Sequence, residues 1–263
     1  MQRYGGELIY HARDEHGVLE VVDAHGVRSL HFGTSPKQSA LSLRQADRLE
    51  LPYVRAMLSA LLFIGEPGKV LLIGLGGGSL ARFLLEQFSG SRVDAIERRS
   101  SVVEIAHDYF GLPRSTRLAV HIGEANQLVE NLGRHQGNAY DLILIDAFDA
   151  EGMDPSINAL DFFAACAALL HPKGVLDINL WGSHPVSLKQ SIALLKTCFP
   201  GKSMRLAVPN RGNVIGFGLG PESPTVKLKQ LEPRARDLEF RTGLEMPYFL
   251  RNLRSINSPN SSA

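Results

Sequence analysis

The sequence predicts an α/β fold, in which a small antiparallel β element precedes a doubly wound, mostly parallel sheet. Three observations predict it. From residue 69 onward, short apolar runs alternate with segments of helical spacing, as in parallel sheets with right-handed crossovers. A glycine-rich turn joins the first apolar run to the first helical segment. Before residue 50, strand-like runs are separated only by short turn signals, which is typical of antiparallel pairing.

The N-terminal part contains three strand-like runs, ELIYHA, VLEVVDA and VRSLHFG. Asp14-Glu15-His16-Gly17 and His25-Gly26 separate them and predict turns. Residues 34–48 are polar and predict a loop. We therefore expect a small β domain over residues 1–50. The next segment, LPYVRAMLSALLFI (51–64), has the apolar spacing of a helix, with a proline tolerated near its start.

Five strand–helix pairs follow between residues 69 and 199. They are KVLLIGL and SLARFLLEQF, RVDAIE and SSVVEIAHDYF, LAVHIG and ANQLVENLG, YDLILID and NALDFFAACAALL, and GVLDINL and PVSLKQSIALLKTCF. KSMRLAVP and NVIGFGLG then form a strand pair whose connection is too short for a crossover, so one of them should run antiparallel. We expect a Rossmann-like nucleoside-binding domain over 51–220 and a C-terminal extension over 221–263. The extension predicts a helix near LEMPYFLRNLRSI and a disordered end, NSPNSSA.

Composition limits the classes of function. The chain has 263 residues, 44% of them hydrophobic and 21% charged, which is typical of a globular protein. Its net charge of +1 gives no indication of nucleic-acid binding. No apolar run reaches membrane-spanning length and the start lacks a signal-peptide pattern, so we expect a cytoplasmic protein without membrane contacts. Cys166 and Cys198 are expected to be buried thiols, and the scattered histidines do not predict a metal site.

Gly74, Gly76 and Gly78 follow the first strand of the parallel sheet. Such a turn allows a ligand to contact the backbone, because a Cβ atom there would crowd it. The following helix presents free N–H groups and a positive dipole at about Ser79. A tight turn without a ligand is the alternative. The run Gly-x-Gly-Gly-Gly departs from the dinucleotide pattern Gly-x-Gly-x-x-Gly, which favours an S-adenosyl sulfonium compound as the ligand.

Acidic residues follow three of the predicted strands. Glu97 lies 19 residues after Gly78, a spacing that suits hydrogen bonds to both ribose hydroxyls. Glu124 would border the adenine ring, or else cap a helix. Asp146 comes at the carboxyl end of a buried strand, with Asp149 three residues later. Ligands of open α/β sheets bind at this edge, although both aspartates could instead cap a helix or tie a loop.

Together these residues resemble the spermidine synthase family, the polyamine aminopropyltransferases, over about residues 5–220. VLLIGLGGGSLAR resembles the glycine-rich segment of that family, AIE its ribose-binding strand end, HIGEA its Gly-Asp segment and YDLILIDAFD its aspartate-containing loop. The resemblance implies a methyltransferase-like Rossmann domain after a small β domain. It implies aminopropyl transfer from decarboxylated S-adenosylmethionine to a small amine in polyamine biosynthesis, without a tightly bound cofactor, by a homodimer.

The resemblance also implies roles for individual residues. Asp146 matches the catalytic carboxylate, and Asp149 is a candidate anchor for the acceptor. Tyr53 and Gln38 match residues that flank the active site. Tyr53 could hydrogen-bond the amine or serve only as a packing aromatic, and Gln38 could be an ordinary loop residue. Trp181 could line the acceptor pocket or belong to the core.

Three departures make the chain a divergent member, one of them in the segment 149–155 after the second carboxylate. Gly77 stands where the family has an aspartate that holds the aminopropyl amine, and Arg55 stands where it has a glutamate. A guanidinium would repel a diamine and attract a carboxylate, and intact S-adenosylmethionine carries such a group. A methyltransferase that uses S-adenosylmethionine therefore stays open as an alternative, as does a non-catalytic nucleoside-binding protein.

Overall fold

The computed structural model describes residues 1–135, 137–147, 155–182, 184–209, 212–223 and 227–255. The first of its two sheets is antiparallel throughout and follows the order β1-β2-β3-β4-β5. Its strands are β1 (Gln2–Arg3), β2 (Gly6–Asp14), β3 (Gly17–Ala24), β4 (Val27–His31) and β5 (Ser39–Ser42). The three strands expected from the sequence are confirmed as β2, β3 and β4.

Strand β5 was not expected, because residues 34–48 read as a polar loop. It pairs antiparallel with β4, where Leu30 lies opposite Ser39 and Val27 opposite Ser42. All four of its residues are buried. The segment QSALS has little strand propensity of its own, so pairing and burial produce this strand. It brings the N-terminal sheet against the glycine-rich turn.

The second sheet follows the order β13-β11-β12-β10-β9-β6-β7-β8 in the described residues. Its strands are β6 (Lys69–Ile73), β7 (Arg92–Glu97), β8 (Leu118–Ile122), β9 (Tyr140–Ile145), β10 (Leu170–Trp181), β11 (Ser203–Ala207), β12 (Asn213–Leu219) and β13 (Arg254–Ser255). The neighbours from β8 to β10 are parallel. Strand β12 runs antiparallel to both β10 and β11, which confirms the expected antiparallel strand.

The helices are α1 (Pro52–Met57), α2 (Leu61–Ile64), α3 (Ser79–Gln87), α4 (Ser100–Phe110), α5 (Ala125–His135), α6 (Leu160–Leu169), α7 (Pro185–Cys198), α8 (Glu232–Thr242) and α9 (Met246–Asn252). A 3₁₀ turn over 58–60 interrupts the single helix predicted for 51–64. Helix α9 confirms the helix expected near LEMPYFLRNLRSI, whereas α8 was not predicted. The C-terminal NSPNSSA lies outside the described residues.

Alternation along the strands builds a core on each face of the large sheet. Val70 and Leu72 pack on the face covered by α1, α2, α3, α8 and α9. Leu71 and Ile73 pack on the opposite face, which α5, α6 and α7 cover. A third cluster joins the N-terminal sheet to α4. This packing places the carboxyl ends of the parallel strands beside β5 and α1.

Candidate active site

A cavity of about 730 Å³ opens at the carboxyl ends of the parallel strands. The predicted site residues that line it are Gln38, Tyr53, Gly74, Gly76, Glu97, Glu124 and Asp146. Gly78 is not among the described lining residues, and Asp149 lies outside the part of the chain that the structure describes. The N-terminal sheet, the first helix and the large sheet therefore all contribute to one cavity.

The glycine-rich turn is bare because the protein itself fills the adjacent space. Gly74, Gly76 and Gly78 have φ angles of 90°, 53° and 74°, which side chains rarely adopt. A Cβ atom on Gly74 would collide with the backbone of Asp146, and one on Gly76 would lie 2.7 Å from the Ser39 hydroxyl. The expectation that a ligand requires these glycines is therefore incomplete, because protein packing already requires them.

Ser39 holds this turn and was missed by the sequence reasoning. Its Oγ accepts a hydrogen bond from the N–H of Gly77 at 2.7 Å. A Cβ atom on Gly77 would lie 2.9 Å from the ring of Phe110 and 2.9 Å from Cβ of Ser39. Position 77 therefore has no room for the aspartate that the family carries there. No signal in the sequence marked Ser39, since its strand forms only through pairing.

Glu97 ends strand β7 and faces the glycine-rich turn. Its Oε2 accepts hydrogen bonds from the backbone N–H groups of Leu75 at 3.0 Å and Gly76 at 3.4 Å. Its Oε1 accepts one from the backbone N–H of Arg99 at 3.0 Å. The side chain is buried, yet it also lines the cavity. A carboxylate has about four lone-pair positions and the three N–H groups use three of them, so one remains for a ligand hydroxyl.

Asp146 follows β9 at the centre of the sheet edge. Its Oδ1 accepts a hydrogen bond from Nδ2 of Asn179 at 2.9 Å, and Tyr53 lines the same cavity. Surrounding protein atoms desolvate the group and raise its pKa from 3.8 to about 6, although the Asn179 amide and the Tyr53 hydroxyl act in the opposite direction. It can therefore be a carboxylate at neutral pH and still bind a proton readily.

Strand β10 supplies two polar side chains on the face that carries Asp146. Asn179 is 2% exposed and its Oδ1 accepts a hydrogen bond from Nδ2 of Asn213 at 2.9 Å. Asp177 is fully buried, and neither of its carboxyl oxygens has a hydrogen-bond partner among the described residues. Burial, and then the charge of Asp146, raises the pKa of Asp177 well above its usual value. Their alternation inside the apolar run GVLDINL was a signal that could have revealed both residues.

The remaining predicted residues lie around the rim. Gln38 directly precedes the strand residue that holds the glycine turn, and its N–H donates to the carbonyl of Leu30 at 2.9 Å. Glu124 is exposed and precedes α5. Trp181 lines the cavity, and its ring stacks on His184 with centroids 5.5 Å apart. The cavity thus contains Glu97, a buried acid beside the glycine-rich turn, and Asp146, a second acid in a wall that also holds Trp181 and the amides of Asn179 and Asn213.

Arg55 does not line the cavity, contrary to the expectation that it binds a ligand carboxylate. Its Nη2 forms an ion pair with Oε1 of Glu245 at 3.2 Å, and Nη1 donates to the carbonyl of Leu49 at 3.3 Å. The guanidinium therefore faces the C-terminal helices. The sequence could not reveal this partner because Glu245 is remote in the chain.

No helix in the described ranges is both long and apolar enough to cross a membrane. Among curated proteins, the chain is 32% identical over 243 residues to a polyamine aminopropyltransferase of Chromobacterium violaceum, a match that covers 91% of this chain and 90% of that protein. Among solved structures, it resembles a probable spermidine synthase of Corynebacterium glutamicum with a TM-score of 0.72 and 18% identity, covering 98% of both chains, which shows a shared fold.

A second structural relative is human methyltransferase-like protein 13, solved in complex with SAH. The TM-score is 0.63 at 27% identity, and the match covers 81% of this chain and 98% of that one. The family model described as the spermine/spermidine synthase domain matches residues 53–209, which include the glycine turn, Glu97 and Asp146. Because this match spans more than half of the sequence, the chain belongs to the spermine/spermidine synthase family.

Proposed function

We propose that the protein transfers an aminopropyl group from decarboxylated S-adenosylmethionine to a small amine and releases methylthioadenosine. The observation that carries the proposal is Asp146, a desolvated carboxylate with a raised pKa in the same cavity as Glu97 and the glycine turn. The similarity to polyamine aminopropyltransferases supports the same reaction. Glu97 binds the donor, and Asp146 binds the acceptor.

The donor occupies the half of the cavity beside the glycine turn. Glu97 accepts a hydrogen bond from a ribose hydroxyl at the position that its three backbone N–H bonds leave open, and those bonds hold the carboxylate in place. Gly74 and Gly76 allow the nucleoside to approach the backbone, and Glu124 borders the adenine. Gln38 closes this half from the side of the N-terminal sheet.

The acceptor enters beside Asp146. A free alkylamine is mostly protonated at neutral pH, so a carboxylate must hold the ammonium group and take its proton. The nitrogen lone pair then forms a bond to the carbon next to the sulfonium sulfur. The carbon–sulfur electron pair moves to sulfur, which leaves as a neutral thioether, and the proton stays on Asp146. Tyr53 orients the carboxylate, and the rest of the catalysis is alignment of nitrogen, carbon and sulfur.

Other features of the reaction rest on the family resemblance. We infer that Asp149 anchors the remainder of the acceptor and that the enzyme acts as a homodimer in the cytoplasm. The acceptor is a small amine, with Trp181 and Asn213 in the wall that it would contact.

A methyltransferase that uses S-adenosylmethionine is the second candidate. The packing at Gly77 favours it, because no acid can stand there to hold an aminopropyl amine. The likeness to a methyltransferase-like protein also favours it. Arg55, which suggested a bound carboxylate, no longer supports it, since that side chain pairs with Glu245.

The products distinguish these functions. The purified protein is incubated with decarboxylated or intact S-adenosylmethionine and a panel of mono- and diamines, and mass spectrometry identifies the nucleoside released. We expect methylthioadenosine, only with the decarboxylated donor and an amine. Asp146→Asn should lower the rate by roughly 10²–10⁴-fold, as for loss of a general base. Glu104→Gln, at an exposed carboxylate on α4, is the control and should leave the rate unchanged.

Formation of S-adenosylhomocysteine instead would establish methyl transfer. Binding of the nucleoside without any product would support the non-catalytic alternative and overturn the proposal.

A further inference from the structure

The first helix connects the cavity to the C-terminal helices. Tyr53 and Arg55 both lie on α1, two residues apart, so their side chains point about 200° apart around the helix axis. Tyr53 reaches Asp146 in the cavity. Arg55 reaches Glu245, which directly precedes α9. Helix α1 therefore bridges the catalytic carboxylate and the C-terminal extension.

Helix α1 cannot hold this position by itself. It has six residues, and its N-cap, Leu51, makes no side-chain capping bond. Helices this short have little stability of their own, so contacts with other segments determine their placement. Val54, Ala56 and Met57 supply core contacts on its inner face. Arg55 supplies two further contacts, to Glu245 at 3.2 Å and to the carbonyl of Leu49 at 3.3 Å. Residues 50–53 line the cavity, and they lie in the chain between Arg55 and Leu49, whose carbonyl Arg55 contacts.

The ion pair between Arg55 and Glu245 lacks the geometry of a strongly stabilising salt bridge. Nε of Arg55 and Oε2 of Glu245 are buried without a partner among the described residues, so the two groups do not form the bidentate arrangement. Their side chains are 23% and 45% exposed, so solvent screens the ion pair and its contribution to stability is small. Placement of α1 is a better explanation of this geometry than stability.

From these contacts we infer that Arg55 and Glu245 are positioning residues, which fix Tyr53 against Asp146 by fixing α1 and the segment before it. The inference rests on the proposed function only in that Asp146 is the base. In this role Arg55 does not contact a ligand but supports the segment that lines the cavity. The C-terminal extension thereby becomes a support of the catalytic carboxylate.

The proton affinity of Asp146 reports whether Tyr53 is in place. The groups that face Asp146 are Tyr53 from α1 and Asp177 and Asn179 from β10. The glycine turn adds no titratable group, and Asn179 is neutral. The hydroxyl of Tyr53 lowers the pKa of Asp146, so displacement of Tyr53 should raise it.

The test is a carbon-13 NMR titration of Asp146 in the free protein, with the signal assigned by its loss in Asp146→Asn. Tyr53→Phe should raise the pKa of Asp146 by about one unit, because it removes the Tyr53 hydroxyl that favours the carboxylate. Arg55→Met and Glu245→Gln should each raise it by a smaller amount. The exchanged pair, Arg55→Glu with Glu245→Arg, should restore it only in part, because the ion pair returns but a carboxylate at position 55 cannot donate to the carbonyl of Leu49.

The matched control is Glu66→Gln. It removes the ion pair of Arg241 and Glu66 at 2.5 Å, which also ties the C-terminal helices to the rest of the chain but does not touch α1. We expect a lower Tm at most and an unchanged pKa. If Arg55→Met and Glu245→Gln also leave the pKa of Asp146 unchanged, the pair is only structural and the inference is wrong. The titration needs no substrate, so an inactive wild-type protein would overturn the proposed function without affecting this result.

Discussion

Asn179 donates a hydrogen bond from Nδ2 to Oδ1 of Asp146 at 2.9 Å, while Asn213 donates to Oδ1 of Asn179 at the same distance. The second bond fixes which end of the Asn179 amide faces the carboxylate. Two successive side-chain hydrogen bonds thus connect Asn213 on β12, through Asn179, to Asp146, the proposed base. Asn179 was not among the predicted site residues, yet it is one of two groups that oppose the effect of burial on Asp146.

Replacement of Asn179 by leucine should weaken Asp146 as a carboxylate. The lost hydrogen bond stabilised the charged form, so the pKa of Asp146 should rise from about 6 by roughly one to two units. The acidic limb of the kcat/KM pH profile should move to higher pH by the same amount. Asn213→Ala, which only frees the Asn179 amide, should produce a smaller shift in the same direction. An acidic limb that stays in place in both variants would contradict this account.

Asp146 should make wild-type stability depend on pH. Its folded-state pKa of about 6 lies above the ordinary value of 3.8, so its stabilising contribution is complete below pH 3.8 and is lost as pH rises through 6. Asp146→Asn lacks this loss. The free energy of unfolding of the variant minus that of the wild type should therefore increase by at most about 3 kcal/mol from pH 4 to pH 7. Water in the cavity makes the increase smaller, because it reduces the desolvation of Asp146.

Urea unfolding at several pH values measures that difference. A difference that is constant across the range would mean that Asp146 is not desolvated in the folded protein.

Asp177 should reduce the stability of the protein. It is fully buried without a hydrogen-bond partner in the described ranges, and burial raises its pKa well above the usual value because the charged form is disfavoured there. Asp177→Leu should therefore raise the free energy of unfolding by roughly 1–3 kcal/mol. Asp177→Asn preserves the shape and leaves an unpaired polar group, so it should change stability little. Destabilisation by leucine greater than by asparagine would show that Asp177 has a partner.

The glycine turn should be intolerant of side chains even without a ligand. Gly74→Ala places a Cβ atom at a φ of 90° against the backbone of Asp146, so it should destabilise the protein by more than about 1 kcal/mol. Gly90→Ala is the control, because nothing lies within 4 Å of its Cβ position, and it should have almost no effect. Calorimetric Tm values of the free proteins compare the two. Equal Tm values would mean that only a ligand requires Gly74.

Local patterns were sufficient for the parallel sheet and for its functional edge. Apolar strands buried on both faces read as continuous runs, and the residues that follow them must meet at one edge. Glu97 and Asp146 were found for this reason, and both line the cavity. The antiparallel partner of β10 was also predictable, because a short connection between strands permits no crossover.

Features that depend on distant partners could not be predicted. Strand β5 and Ser39 gain their structure from β4 and the glycine turn, and the partner of Arg55 lies 190 positions later in the sequence. Helix α8 was missed because its sequence, EPRARDLEFRT, is mostly polar and contributes only Ala235 and Leu238 to the core. Local propensity carries little information about such contacts.

We propose that the bare turn and Glu97 bind an adenosine thioether or sulfonium. Isothermal titration calorimetry with methylthioadenosine measures this binding. We expect one binding site per chain, weakened roughly 10- to 100-fold by Glu97→Gln through the loss of a charged hydrogen bond to the ribose, and affected less by Glu124→Gln. No heat of binding to a folded wild-type protein, or equal affinity in the Glu97 variant, would contradict it.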